Sequence, residues 1–360
     1  MEAEKSTTVT NQGQNVKYSV AGATGVTVNA RLIIQQANII IPEIPTLQDH
    51  QKAAKKQSQE WVDNIWPPLI NTTAEIIDYA NTFQATYDVL LELVPRLRAG
   101  DVDARDEFVQ ALKGALIPEL QSKLFKANKL ATSTKQFHDG FEPLYNEFQK
   151  DFTEAIKVMT KDNTKIQEDQ ASLVEWKTKA DLEIFAILAF GISLPVTVVA
   201  TALLSETGVG VLIGGIIIVG ELIAIGVLLA EYAEAMKNVN DLITAIKEMK
   251  SEVAQLHLIE GQISGLQKNT EKVVAYSANV ADGWLALSDD MKETIGHLQS
   301  ISPQQAAIYI EINLKAANKD WGVVLQQAKN LQPKGGQLEQ KIYATSDEMV
   351  KAIQAQAKNG

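Results

Sequence analysis

The side chains that could carry chemistry in this sequence are few and scattered. The four histidines are His50, His138, His257 and His297, and none has another histidine three or four positions away, so the spacing of a helical metal-binding pair is missing. The chain has no cysteine, which excludes disulfides, thiolate nucleophiles and cysteine-ligated metals. No GxxxxGKS/T, GxSxG or HExxH motif occurs. We therefore expect no catalytic residues, no metal, no cofactor and no small-molecule substrate, and we predict that the protein is not an enzyme.

A glycine-rich run, GVGVLIG at 208–214, is the closest approach to a ligand-binding motif. Its spacing is GxGxxxG and it lies inside an apolar stretch, so it does not indicate nucleotide binding. Gly210 and Gly214 form a small-xxx-small pair that allows close helix approach in lipid, although glycine at a tight turn explains them equally well. The net charge of −11, from 33 basic and 44 acidic residues, argues against a nucleic-acid partner.

Apolar residues are concentrated in one internal stretch. Residues 184–205 carry no charge, Glu206 interrupts, and 207–220 is uncharged again. After Glu221 the apolar run resumes and ends at Glu231. Each half, as a helix, is long enough to cross the ~30 Å hydrocarbon core of a bilayer. We interpret 184–230 as a hairpin with Glu206 at its tip.

The hairpin contains three kinds of candidate functional position. We expect its large apolar side chains to enter lipid: Ile184, Phe185, Ile187, Leu188, Phe190, Ile192, Leu194, Val196, Val198, Val199, Leu203, Leu204, Val209, Val211, Leu212, Ile213, Ile216, Ile217, Ile218, Val219, Leu222, Ile223, Ile225, Val227, Leu228 and Leu229. We expect hinge or packing roles for Pro195, Gly208, Gly210, Gly214, Gly215 and Gly220. Glu206 and Glu221 are expected at the tip or facing a lumen.

Three interpretations of 184–230 compete: a permanent two-span anchor, a buried pair of core helices, and a segment hidden in a soluble form that later enters a bilayer. The other predicted helices are amphipathic and pack on one another, which disfavours a buried pair. The β-branched runs VTVV and IIIV, together with the glycines, allow either strand or helix. The flanks lack the Lys/Arg collar of a permanent anchor. The composition therefore favours conditional insertion.

Helical periodicity dominates the rest of the chain. Apolar residues recur every three or four positions over 141–173 and over 232–298, and the second stretch predicts a helix of roughly 100 Å. Further helices are predicted at 26–41, 46–66, 69–97, 103–133, 302–331 and 336–358. Pro67-Pro68 is expected to break the helix, and Pro95 and Pro118 to kink or end it. Residues 1–23 lack helical period, so we predict a tail or a short strand, and no secretory signal is visible there.

An all-helical chain with an apolar hairpin between its two longest helices resembles the cytolysin A and haemolysin BL-type α-helical pore-forming toxins. The resemblance covers about 24–357 and rests on three segments. They are an opening helix VTVNARLIIQQANIII, the hairpin ILAFGISLPVTVVATALLSETGVGVLIGGIIIVGELIAIGVLLA, and a closing helix AANKDWGVVLQQAKNL around Trp321. The strongly apolar hairpin is similar to that of the lipid-inserting partner in multipart toxins.

The resemblance implies an all-α fold: an elongated bundle of about five long helices with an inserted apolar head, either a β-tongue or a helical hairpin. It implies an N-terminal tail (1–23), a bundle (24–183 and 231–360) and a head (184–230). It further implies a secreted, soluble monomer that inserts the head into a target-cell bilayer and assembles with itself or with related toxin components. The alternative from a different class is an integral two-span membrane scaffold or sensor with a coiled-coil body.

Overall fold

Long helices make up most of the chain that the structure describes. This computed structural model describes residues 2–36, 38–160, 196–204, 210–218, 251–331 and 339–343, with isolated positions elsewhere. The helices are α1 (Glu2–Gln35), α2 (Thr46–Glu60), α3 (Trp66–Arg98), α4 (Val102–Ala111), α5 (Ile117–Thr160), α6 (Ser251–Ser300) and α7 (Pro303–Leu331). Single π-helical turns, Trp61–Ile65 and Leu112–Leu116, join α2 to α3 and α4 to α5. The described residues thus contain five continuous helical runs, which confirms the predicted all-α bundle.

The chain divides into two compact units. Unit 1 comprises 1–19, 68–133 and 274–332. Unit 2 comprises 20–67, 134–273 and 333–360. The division into a bundle and a head at 184–230 is a functional one, and it stays a prediction.

The tail or short strand predicted for residues 1–23 is wrong, because Glu2–Gln35 is one α-helix. From residue 19 to residue 30 every position of α1 is buried, among them Ser19, Val20, Ala21 and Ala23, each at most 4% exposed. A helix that is covered all round needs no polar face, so it leaves no amphipathic period in the sequence. The absence of a period at 19–23 therefore reflects burial.

Within unit 1, a row of polar side chains joins α1 to α6. Gln12 Nε2 donates to the carbonyl of Val280 at 3.0 Å. Asn15 Nδ2 donates to the carbonyl of Asn279 at 3.3 Å. The Ser19 and Ser277 hydroxyls lie 3.4 Å apart. The Gln12 and Ser19 contacts are buried, where an unmade bond is costly, and the Asn15 bond is exposed to solvent.

The break predicted at Pro67-Pro68 is also wrong. A proline has no N–H, and its ring clashes with the carbonyl four residues earlier. The π-helical turn Trp61–Ile65 directly precedes the prolines, and there the Trp66 N–H donates to the carbonyl of Trp61, five residues back. This wider turn accommodates the prolines without ending the helix. A second π-helical turn, Leu112–Leu116, precedes Pro118, and the helix continues through that proline. By contrast, α3 ends at Arg98, three residues after Pro95.

The core of unit 1 is aromatic. Tyr79 of α3 lies 5.5 Å from the ring of Trp284 and 4.8 Å from that of Trp321, between ring centroids. Phe83, one helical turn further along, lies 6.1 Å from Trp321. Such pairs contribute about 0.5–1.5 kcal/mol each beyond the burial of their area. They join α3, α6 and α7 in one packed cluster.

A buried lysine holds α3 to α5 in the same unit. Lys123 is 2% exposed and its Nζ lies 2.6 Å from Glu75 and 2.7 Å from Glu119, with the Asp78 carboxylate also in contact. Burial by itself lowers the pKa of Lys123, but the hydrogen bonds that its ammonium group donates to the three carboxylates outweigh this effect and hold the pKa above its ordinary value. One buried cation thus holds three carboxylates together, and Lys126 adds a second ion pair with Glu75.

Hydrogen bonds and an aromatic contact also join the helices of unit 2. Trp61 Nε1 donates to Thr27 Oγ1 at 2.8 Å, and the Trp61 ring lies 5.1 Å from Phe137. His50 Nδ1 lies 2.6 Å from Asp151 Oδ2, while Thr46 donates to the other oxygen of Asp151 at 2.8 Å. These contacts fix the first turns of α2 against α5.

The two longest predicted helices are partly described. The period over 141–173 corresponds to the second half of α5, which is helical without a break from Ile117 to Thr160. The period over 232–298 corresponds to α6, described from Ser251 onward, and the described positions 234, 235, 237, 238 and 241 are helical as well. The other residues of these two predictions lie outside the described part of the chain.

Candidate functional site

The centre of the predicted hairpin consists of two paired strands. Val196–Leu204 (β1) and Gly210–Ile218 (β2) are antiparallel, in a register that runs from Val196 opposite Ile218 to Leu204 opposite Gly210. β-branched residues dominate both strands and fit a pleated sheet well. Glu206, the predicted tip, falls between the two strands in sequence and lies outside the described residues.

The structure places part of the predicted lipid-entering set in these strands. It brings Val196, Val198, Val199, Leu203 and Leu204 of β1 opposite the predicted apolar and glycine positions of β2. The remaining predicted positions lie outside the described residues: Ile184, Phe185, Ile187, Leu188, Phe190, Ile192, Leu194, Pro195, Gly208, Val209, Val219, Gly220, Glu221, Leu222, Ile223, Ile225, Val227, Leu228 and Leu229.

Neither strand has a polar side in its sequence. VTVVATALL and GVLIGGIII contain no charged residue, and Thr197 and Thr201 are their most polar members. Because alternate positions of a strand belong to opposite faces, both faces of the pair are apolar. A sheet that is exposed to water on one side normally alternates apolar and polar residues. The composition of β1 and β2 is therefore that of a segment meant to be covered or to meet lipid.

A third strand occupies the other edge of β1. Glu339–Tyr343 (β3) runs parallel to β1, with Thr197 opposite Glu339 and Thr201 opposite Tyr343, and the sheet order is β2-β1-β3. The helix predicted at 336–358 is therefore wrong at 339–343. The segment EQKIY ends in two residues with high strand propensity, and the edge of β1 supplies the backbone partners that a short strand lacks alone.

The backbone of this sheet limits what it can do in a bilayer. An open three-stranded sheet leaves unpaired N–H and C=O groups along its two outer edges, and lipid cannot satisfy them. Insertion therefore requires the strands to separate and become helical, or to close into a larger assembly. As helices, 184–204 would extend about 31 Å, close to the thickness of the hydrocarbon core. None of the helices in the described ranges is both long and apolar enough to cross a membrane.

No group of three or more His, Asp or Glu side chains that could hold a metal ion occurs among the described residues. The contact between His50 and Asp151 joins α2 to α5.

Comparison with known proteins finds a family match in the part of the chain that precedes the hairpin. Residues 14–181 match the family model described as Bacillus haemolytic enterotoxin (HBL). The chain resembles the haemolysin BL-type toxins, as predicted. The matched range ends before the hairpin, so this similarity rests on the helices and is independent of the apolar stretch. The sequence matches no curated protein.

Several solved structures share the fold over almost the whole chain. Soluble SmhB of the tripartite alpha-pore forming toxin Smh of Serratia marcescens is 15% identical, with a TM-score of 0.75 and 97% of both chains covered. AhlB, a soluble component of the tripartite toxin AHL of Aeromonas hydrophila, is 16% identical, with a TM-score of 0.76 and 96% of this chain and 99% of that chain covered. The HblL1 toxin component of Bacillus cereus is 16% identical, with a TM-score of 0.69 and coverage of 89% and 95%.

Sequence reasoning missed two elements, the first part of α1 and the strand β3. The family match begins at residue 14, so it includes most of α1. The unbroken run of small and β-branched residues in α1 was the available signal for a buried helix. For β3, the signal was weak, because only its Ile342 and Tyr343 favour a strand.

Proposed function

We propose that the protein is one component of a multipart α-pore-forming toxin, secreted in soluble form, and that it inserts 184–230 into the bilayer of a target cell. The observation that carries this proposal is the uncharged pair β1–β2 within an otherwise amphipathic helical chain. The fold shared with SmhB and AhlB, both components of tripartite toxins, supports assembly with related chains. The residues 24–183 and 231–360 then form the body and 184–230 the membrane-inserting head.

The insertion mechanism follows from the need to satisfy every backbone N–H and C=O group inside the bilayer. At a membrane, the hairpin leaves β3, its strands separate, and its two halves form helices whose backbone groups are satisfied internally. Burying the large Leu, Ile, Phe and Val side chains drives the step by several kcal/mol. Glu206 crosses at the tip, and Glu221 faces a lumen or another protomer, because an ionised carboxylate costs about 2–3 kcal/mol deep in lipid.

A fluorophore on the hairpin tests the insertion directly. The chain has no cysteine, so Val211→Cys offers a single attachment site for a polarity-sensitive dye. We expect its emission to shift to the blue when phosphatidylcholine–cholesterol vesicles are added, and to be quenched by lipid-attached quenchers. The matched control is Val323→Cys on α7, 48% exposed, whose emission should not change. The proposal would be overturned if the dyes at positions 211 and 323 showed the same change in emission, or if the emission of the dye at position 211 did not shift.

Charge in the hairpin tests the same proposal energetically. Val211→Asp with Ile217→Asp adds two carboxylates at bilayer depth, each costing a few kcal/mol. We expect the amount of protein that resists an alkaline wash of the vesicles to fall at least tenfold, with unchanged circular dichroism. The apolar control, Val211→Leu with Ile217→Val, should insert normally. Full retention of the charged variant would remove the hairpin from the mechanism.

A further inference from the structure

Unit 1 contains a cavity of about 150 Å³ between its helices, and the cavity is partly open to solvent. Five aromatic side chains line it: Tyr79, Phe83, Phe108, Tyr309 and Trp321. Most of the remaining wall is aliphatic, including Leu112, Leu116 and Leu287. Engineered apolar cavities of about this size bind a molecule such as benzene. The cavity is therefore large enough for one small organic group, and ligand sites in helical bundles commonly lie between facing helices.

The aromatic rings form a continuous wall. The Trp321 ring lies 4.8 Å from Tyr79, with an angle of 59° between the planes, and 6.1 Å from Phe83, with an angle of 35°. The face of an aromatic ring carries negative potential, so a cation within about 6 Å of it is attracted. An apolar wall built from aliphatic side chains alone would lack this property.

Two carboxylates line the same cavity, Asp290 from α6 and Asp320 from α7. Among the described residues that line it there is no lysine and no arginine. An anion would therefore be repelled. Thr294 and Asn313 are the other polar side chains of the wall, and no group of three or more His, Asp or Glu side chains that could hold a metal ion occurs among the described residues. A cation with an apolar surface satisfies both the aromatic and the acidic part of the wall.

We propose that this cavity binds a small organic cation with a methylated ammonium group, of which choline is the simplest probe. The methyl groups pack on Leu112, Leu116 and the aromatic rings, while the positive charge faces the rings and the Asp320 carboxylate. Such ammonium groups occur both as free cations and as the headgroup of phosphatidylcholine. Binding of free choline needs no membrane, so this inference stands or fails separately from membrane insertion by the hairpin.

A neutral ligand of the same shape gives the sharpest test. Dimethylbutanol, in which carbon replaces the nitrogen of choline, has the same volume without the charge. We expect choline to bind at least about fivefold more tightly, which corresponds to about 1 kcal/mol of cation–aromatic and charge attraction. Tryptophan emission follows the titration, because Trp321 lines the cavity. Equal or tighter binding of dimethylbutanol would overturn the proposal.

Matched variants locate the binding. Asp320→Asn should weaken choline binding about fivefold and leave dimethylbutanol binding unchanged, whereas Asp282→Asn, which removes the same charge from an exposed position of α6, should change neither. Ala317→Phe fills the cavity and should abolish the binding of both choline and dimethylbutanol, while Val323→Phe on the same helix should leave both unchanged. If Asp320→Asn reduces the helical content of the protein, Asp290→Asn serves as the charge-removing variant instead. Unaltered choline binding in both Asp320→Asn and Ala317→Phe would contradict the assignment.

Vesicles distinguish the two sources of the ligand. If the headgroup is the ligand, binding to phosphatidylcholine vesicles will exceed binding to phosphatidylethanolamine vesicles, will be competed by free choline and will fall with Asp320→Asn. If a free cation is the ligand, choline will bind in solution with the same dependence on Asp320, and vesicle binding will not respond to the substitution. Either result supports a site for a methylated ammonium group. The proposal is refuted if the protein prefers neither choline over dimethylbutanol nor phosphatidylcholine vesicles over phosphatidylethanolamine vesicles.

Discussion

At the scale of single residues, the Lys123 cluster is the most sensitive point of unit 1. Its ammonium group is 2% exposed and is surrounded by Glu75, Asp78 and Glu119. Lys123→Met would leave three carboxylates without their shared cation, so we expect the free energy of unfolding to fall by about 3 kcal/mol. Lys126→Met removes a 53% exposed lysine that pairs with Glu75 and should cost less than about 1 kcal/mol. Urea denaturation of both variants checks the prediction, and equal losses would contradict it.

The same cluster predicts a dependence on acid. Burial raises the pKa of Glu75, but the hydrogen bonds from Lys123 and Lys126 outweigh it, so the pKa lies below its ordinary value of 4.5. The hydrogen bond from Lys123 likewise lowers the pKa of Asp78. Carboxylates with a lowered folded-state pKa contribute stability above their ordinary pKa and lose it as the pH falls through the folded-state value.

We therefore expect the free energy of unfolding to decline below about pH 4.5. Glu75→Gln should make this decline shallower, because one of the titrating groups is gone. Chemical denaturation between pH 7 and pH 3 measures the slope. A slope in Glu75→Gln as steep as in the natural chain would show that Glu75 does not contribute.

At the scale of elements, the turn between α3 and α4 depends on one glycine. Gly100 has φ +89° and its N–H donates to the carbonyl of Leu97, while Asp101 caps α4 through the N–H groups of Asp103 and Ala104. A side chain at this φ costs about 1–2 kcal/mol, and its Cβ would also meet the Gln304 amide. Gly100→Ala should therefore destabilise unit 1. Gly114→Ala, at a helical position with open space around it, should be neutral or stabilising in the same thermal melts.

The pairing of β1 with β3 is the element on which hairpin release depends. Val199 and Lys341 are register partners, and the absence of natural cysteines allows Val199→Cys with Lys341→Cys to form a single disulfide. We expect the oxidised pair to keep its helical content but to insert at least tenfold less protein into vesicles, and reduction to restore insertion. Each single variant, oxidised in parallel, serves as the control. Normal insertion by the crosslinked protein would show that the strands need not separate.

How much of this architecture the sequence predicted depends on the environment of each element. α5, α7 and the part of α6 that follows residue 267 each have one buried and one exposed face, so their apolar period revealed them. α1 is buried on every side at 19–30, and no period marks its first part. The prediction of a break at Pro67 was wrong because a π-helical turn cannot be inferred from composition. The composition of the hairpin allowed either strands or helices. The structure supplied the strands, their register and the partner strand β3. The cavity depends on side chains from six different segments, and no local pattern reports such a convergence.

At the scale of the whole molecule, the net charge of −11 governs the approach to a membrane. A negative protein is repelled by anionic lipid, and salt screens this repulsion within about 10 Å at 0.1 M. We expect weaker binding to phosphatidylserine-containing vesicles than to phosphatidylcholine vesicles at low salt, with a difference that narrows as salt increases. Co-sedimentation at several salt concentrations measures it. Preference for the anionic vesicles would show that a local basic surface overrides the net charge.

The burial of α1 also has a consequence during synthesis. Gln12 bonds to the carbonyl of Val280, and the two residues are 268 positions apart in the chain. At about 5–20 residues per second, the ribosome needs roughly 15 to 50 s to make the α6 segment after α1 has been completed. Throughout that interval the α1 residues that pack on α6 lack their final neighbours, although Thr27 can already meet Trp61. A chaperone that holds the unfinished chain would therefore act on the α6-facing part of α1.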